Sequence, residues 1–137
     1  MCLSVFLATT AVAPTVPFAG DRPVFHAEPI AGDYERVRAQ FSMPHVMYLG
    51  AHGDCGCGFL PEGDEPDCED IAAASRAALS AYVHQATATD GGEMFICWEG
   101  AFADTARRRL SISAPMLATR VDWLEELTFV EILVAAS

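Results

Sequence analysis

Four side chains that can ligate soft metals fall within seventeen residues of this chain: His52, Cys55, Cys57 and Cys68. Zinc in proteins is usually held by four tetrahedral Cys or His ligands, which are often paired at short spacing. The run His-Gly-Asp-Cys-Gly-Cys-Gly supplies three such donors, and its glycines allow the backbone to fold tightly around an ion. The pattern predicts a Zn²⁺ site formed by these four residues, with the last ligand arriving from the start of a helix.

The remaining two cysteines, Cys2 and Cys97, would substitute as ligands if the strands that carry them lie near this loop. The loop also differs from common zinc modules, because it lacks a second Cys-x-x-Cys pair. The alternative interpretation is a Gly-rich surface loop in which the cysteines serve only as small apolar residues.

A second hypothesis assigns thiol chemistry to the same loop, with Cys55, Cys57 or Cys68 as the nucleophile and His52 or His45 as the base. A helix N-terminus lowers a thiol pKa, and Cys68 lies at such a position in the predicted structure. Six carboxylates between positions 62 and 70 oppose this effect, because negative charge disfavours a thiolate. Metal binding is therefore favoured over thiolate catalysis, and no catalytic residue is assigned.

The formal net charge of −11 argues against nucleic acid and against anionic membrane surfaces as partners. The apolar N-terminal run has no Lys or Arg before Arg22, so it does not match a secretory signal. No run approaches the roughly 20 apolar residues that span a bilayer. We therefore expect a cytoplasmic protein, in which cysteines are reduced thiols or metal ligands.

The chain length of 137 residues predicts one compact domain over residues 1–137. A core of this size is stable without a structural metal, so a bound ion would be an addition to the fold. Runs of β-branched and alternating apolar residues predict strands. These lie near residues 3–8, 24–29, 46–50, 94–98, 107–113 and 127–134, with a brief helix at 31–41.

One long helix, spanning residues 68–89, follows the cysteine loop, and its periodicity predicts one face packed on a sheet. Projection at 100° per residue places Ile71, Leu79 and Tyr82 on the buried face and Arg76 and Ser80 opposite. The expected fold is α+β, with one mixed, mostly antiparallel sheet of five or six strands and the helix on one face.

The function predicted from the sequence is that of a small acidic domain that binds zinc through a cysteine-rich loop and has a binding or regulatory role. The alternatives are a thiol-dependent enzyme with its cleft at the same loop, and a homodimerisation domain that uses an exposed strand or helix. No motif indicates a small-molecule ligand.

Overall fold

The computed structural model describes residues 2–17, 25–51, 55–61 and 66–134. The strands in these ranges are β1 (Leu3–Thr9), β2 (Phe25–Pro29), β3 (His45–Ala51), β4 (Gly92–Trp98), β5 (Arg108–Ser113) and β6 (Thr128–Leu133). They form one six-stranded sheet in the order β2-β3-β1-β4-β6-β5. All neighbouring pairs are antiparallel except β5 and β6, which are parallel. The predicted α+β class with a mixed, mostly antiparallel sheet is confirmed.

The long helix is also confirmed as α1 (Pro66–Ala86), shifted slightly toward the N-terminus from its predicted range of 68–89. A one-turn helix α2 (Met116–Thr119) follows β5. The described residues also contain three 3-10 segments, Gly32–Gln40, Gly56–Phe59 and Asp122–Leu124. The first of these replaces the brief helix predicted at 31–41. None of the described helices is long and apolar enough to cross a membrane.

The sheet is covered on both faces, and each face carries its own cluster of buried residues. The helix-side core joins alternate residues of the central strands, including Val5, Leu49 and Ile96, to Leu79 and Val83 of α1. The opposite core joins the intervening residues to the segment that contains the first 3-10 helix. Two independent apolar clusters explain how a chain of this size is stable without a crosslink.

The buried face of α1 differs from the projected one. Ile71 is 40% exposed, whereas Arg76 and Ser80, which were predicted to face solvent, are 6% and 7% exposed. Hydrogen bonds explain the difference, because the Ser80 hydroxyl donates to the Ala114 carbonyl oxygen and Arg76 donates to buried backbone oxygens. A projection that counts apolar residues cannot anticipate polar groups that are buried with partners.

The two strands that precede and follow α1 run in the same direction but are not hydrogen-bonded to each other. Strands β3 and β4 run the same way because both are antiparallel to β1, which lies between them. The antiparallel relation of β1 and β3 also brings the beginning of β1 and the end of β3 to the same end of the sheet. Cys2, Cys55 and Cys57 lie at that end of the sheet.

Candidate metal centre

Two short connections bring three cysteines to this end of the sheet. Cys2 directly precedes β1, and its carbonyl oxygen accepts a hydrogen bond from the Glu99 N–H at 2.8 Å, just beyond β4. Cys55 and Cys57 follow β3, where the Ala51 N–H donates to the Cys55 carbonyl oxygen at 3.0 Å. The sheet register therefore determines which cysteines meet.

The turn Gly56–Phe59 is anchored on both sides. Phe59 is fully buried in the helix-side core, and Gly56 packs directly against β1. A Cβ atom at position 56 would lie 2.8 Å from the Leu3 carbonyl oxygen and 2.9 Å from Val5 Cγ2. Only glycine allows this approach of the turn to β1, and the approach brings Cys55 and Cys57 beside Cys2.

The Sγ atoms of Cys2, Cys55 and Cys57 all lie within 4.8 Å of one another, and the three side chains are half-buried. The Leu3 N–H donates a hydrogen bond to Cys57 Sγ at 3.2 Å, which holds that sulfur against the first residue of β1. Among the residues that the structure describes, no carboxylate or imidazole belongs to this group. The described donors are all soft sulfur atoms.

The geometry fits a thiophilic cation. A tetrahedral zinc with bonds of about 2.3 Å separates its sulfur ligands by roughly 3.8 Å, so small side-chain rotations would bring the three sulfurs into contact with one ion. Three cysteines in this structure therefore lie close enough to hold a metal ion.

The surroundings of the Cys55 thiol disfavour its ionisation. Partial burial raises its pKa to about 12, and contacts with the thiols of Cys57 and Cys2 act in the same direction. A hydrogen bond from the Cys57 backbone has the opposite effect but does not offset the burial. In the absence of a cation, Cys55 is a neutral thiol at physiological pH, which is opposite to the depressed pKa of catalytic thiolates.

The structure brings together two of the four predicted ligands, Cys55 and Cys57. His52 lies outside the described residues. Cys68 is half-buried in the first turn of α1 and is not a member of the three-thiol group. Of the two alternative ligands, Cys2 is in the group, whereas Cys97 is fully buried in the opposite core.

No family model matches this chain, and neither the curated proteins nor the solved structures contain a significant match.

The histidines that the structure describes lie away from the thiols. His45 begins β3, whereas Cys55 follows its end, so the strand separates them by about 20 Å at roughly 3.3 Å per residue. His45 is therefore too far from Cys55 to act as its base. His84 is exposed on α1, and His26 is buried over Gly50 of β3.

The basic run at 107–109 interacts with groups of the chain itself. Arg107 contacts Glu126 at 3.5 Å, and Arg108 contacts Glu125 at 2.6 Å. The Arg109 guanidinium lies 4.6 Å from the centre of the Phe129 ring. The first two arginines therefore pair with acidic side chains of the chain itself beside the edge strand β5.

Proposed function

We propose that this chain is a small regulatory or binding domain that holds Zn²⁺ through Cys2, Cys55, Cys57 and one further donor. The observation that supports this proposal is the mutual approach of three sulfur atoms within 4.8 Å. Zinc suits the donor set, because it is a borderline-soft ion that accepts several thiolates in a tetrahedron.

Metal binding would also change the protonation of the three thiols. Burial disfavours a charged Cys55, but a bound cation deprotonates its thiol ligands and compensates their charge. The metal would tie the start of the central strand β1 to the connection between β3 and α1. Because two apolar cores already stabilise the sheet, we propose that the ion sets the position of this connection and is not required for folding.

The fourth ligand is His52 or Cys68. His52 directly follows the last residue of β3 and precedes Cys55 by three positions. Cys68 belongs to α1, and Arg76 of the same helix donates a hydrogen bond to the Phe59 carbonyl oxygen at the end of the cysteine turn. Replacement of each residue alone distinguishes the two assignments.

The test is metal analysis of protein purified without an affinity tag, followed by titration of the metal-free protein with Co²⁺. Thiolate-to-cobalt charge-transfer absorption reports the number of sulfur ligands, and tetrahedral coordination gives strong visible bands. We expect one metal per chain, and loss of binding in Cys2→Ser, Cys55→Ser and Cys57→Ser.

Cys68→Ser and His52→Ala complete the design. If His52 is the fourth ligand, only its replacement changes the visible cobalt bands, while Cys68→Ser leaves charge transfer intact. If Cys68 is the ligand, its replacement reduces the charge-transfer intensity by about one quarter, as expected for one sulfur of four. Stoichiometric metal that survives the Cys55 and Cys57 substitutions would contradict the proposal.

A further inference from the structure

The arrangement of the three thiols supports a regulatory inference that rests on the proposed metal site. The sulfur atoms of Cys2, Cys55 and Cys57 lie within 4.8 Å of one another, and the Cys55 thiol interacts with the side chains of both other cysteines. All three residues are half-buried, so none of them is enclosed in the apolar core. Thiols this close can form a disulfide when rotation brings two sulfurs to the bonding distance of about 2.05 Å.

We propose that this group is a peroxide-responsive switch, in which Cys55 forms a disulfide with Cys57 or Cys2 and the bound metal is released. Hydrogen peroxide oxidises the thiol of Cys57 or Cys2 to a sulfenic acid and is reduced to water, and Cys55 supplies the second thiol. The second thiol then displaces the sulfenic oxygen as a second water, forming the sulfur–sulfur bond. Two thiols and one peroxide thus give one disulfide and two waters, with two electrons transferred to the oxidant.

The metal is released because disulfide formation reduces the number of sulfur ligands. A disulfide sulfur has no thiolate charge, so one bond removes two of the three sulfurs that the structure brings together. The remaining cysteine and one further donor are too few to hold zinc against a chelator, because structural zinc sites use four ligands. A thiol reductant restores the site, since disulfide formation is reversible by exchange.

The other cysteines provide internal controls. Cys97 is fully buried in the opposite core, so the sheet separates it from the group. Cys68 has the same half-buried character as the three thiols but does not belong to their group. A reaction that depended only on exposure would modify Cys68 as readily as Cys55.

The experiment treats the full chain with hydrogen peroxide in metal-free and zinc-loaded forms. Disulfides are located by alkylation and peptide mass mapping, and zinc release is followed with a chromogenic chelator. We expect a mass loss of about 2 Da from the metal-free chain, equal to two hydrogens, with the bond at Cys55. From the loaded chain we expect about one zinc released per disulfide, with recovery after reduction and reloading.

Two variants test the role of Cys55. In the metal-free chain, Cys68→Ser should form the same disulfide as the parent, because Cys68 lies outside the three-thiol group. Cys55→Ser should form no intramolecular disulfide within the same time. A bond between Cys2 and Cys57 in either protein, or zinc that is retained after peroxide treatment, would overturn the switch while leaving the metal site intact. A chain that binds no zinc would instead refute the proposed function, and the metal-free arm would still decide whether Cys55 forms the disulfide.

Discussion

Arg76 Nη1 of α1 donates a hydrogen bond to the Phe59 carbonyl oxygen at 2.9 Å, which joins the long helix to the last residue of the cysteine turn. The same guanidinium contacts the Ala118 carbonyl oxygen at 3.5 Å and the Glu69 carboxylate at 3.2 Å. Arg76 is only 6% exposed, so its charge is held by three acceptors from three parts of the chain. The turn, α1 and α2 are thereby held in one arrangement.

Replacing Arg76 with Met should lower the free energy of unfolding by roughly 2–3 kcal/mol, because the side chain keeps much of its volume while the buried Phe59 carbonyl loses a charged donor. Chemical denaturation followed by circular dichroism measures this change. The matched control is Glu69→Gln, which removes only an ion pair whose carboxylate is 62% exposed. That control should cost less than about 1 kcal/mol. Equal losses in the two variants would show that the buried carbonyl contact is unimportant.

The strand pattern of the sheet was predictable because it depends on local alternation. In the strand predicted at 94–98, Met94 and Ile96 belong to the helix-side core, whereas Phe95 and Cys97 belong to the opposite core. Alternation of period two is a property of the strand itself, so it can be recognised without knowledge of the neighbours.

The sequence predicted only part of the three-thiol group. Cys55 and Cys57 were predicted from their short spacing, but Cys2 is 53 positions from Cys55 and has no spacing signal. Its approach depends on β1 lying antiparallel to β3, which is a long-range pairing. Arg76 was misjudged for a similar reason, because its acceptor Phe59 lies on a separate turn.

Replacing Gly56 with Ala should weaken metal binding. The new methyl group would meet the Leu3 carbonyl oxygen and Val5 Cγ2 at less than 3 Å and push the turn away from β1. This contact brings Cys55 and Cys57 beside Cys2. We therefore expect a loss of zinc affinity of roughly 10–100-fold, which is typical when a residue that orients metal ligands is replaced. Competition with a chromogenic chelator measures the affinity.

A variant at the other end of the sheet separates this effect from general destabilisation. Gly92 begins β4, and a Cβ atom there would lie 2.5 Å from Thr87 Cγ2. Gly92→Ala should destabilise the fold by roughly 1–3 kcal/mol through overpacking but leave zinc affinity unchanged. If both alanine variants change zinc affinity equally, the anchoring role of Gly56 is refuted.

Replacing Gly50 with Ala should destabilise the edge of the sheet, because a Cβ atom would lie 1.9 Å from His26 Nε2. The imidazole is 1% exposed and sits directly over Gly50 on the neighbouring strand, so it cannot simply rotate into solvent. We expect a loss of roughly 1–3 kcal/mol. In a His26→Ala background the same change should cost much less, and a double-mutant cycle from denaturation midpoints measures this coupling. Additive losses would rule out the close packing of these two residues.

Cys97 should make the fold sensitive to alkali. Burial is the main cause that raises its pKa from 9.0 to about 12, and the nearby Asp104 acts in the same direction. Well below pH 9 the thiol is protonated in both the folded and the unfolded state, so it gives no pH dependence there. Between pH 9 and 12 the unfolded chain releases this proton while the folded chain retains it, so stability falls as pH rises. The slope from this one group approaches 1.4 kcal/mol per pH unit.

The measurement is the free energy of unfolding across this range for the parent chain and for Cys97→Ala. The alanine variant should have lower stability near neutral pH, because it leaves a small cavity, but a shallower decline above pH 9. Tyr82 provides the comparison, since burial raises its pKa from 10.0 to about 12 and its contribution begins one pH unit higher. Tyr82→Phe should therefore reduce the decline between pH 9 and 10 by less than Cys97→Ala does. If Cys97→Ala has the same slope as the parent in that interval, the buried thiol is not the source of the sensitivity.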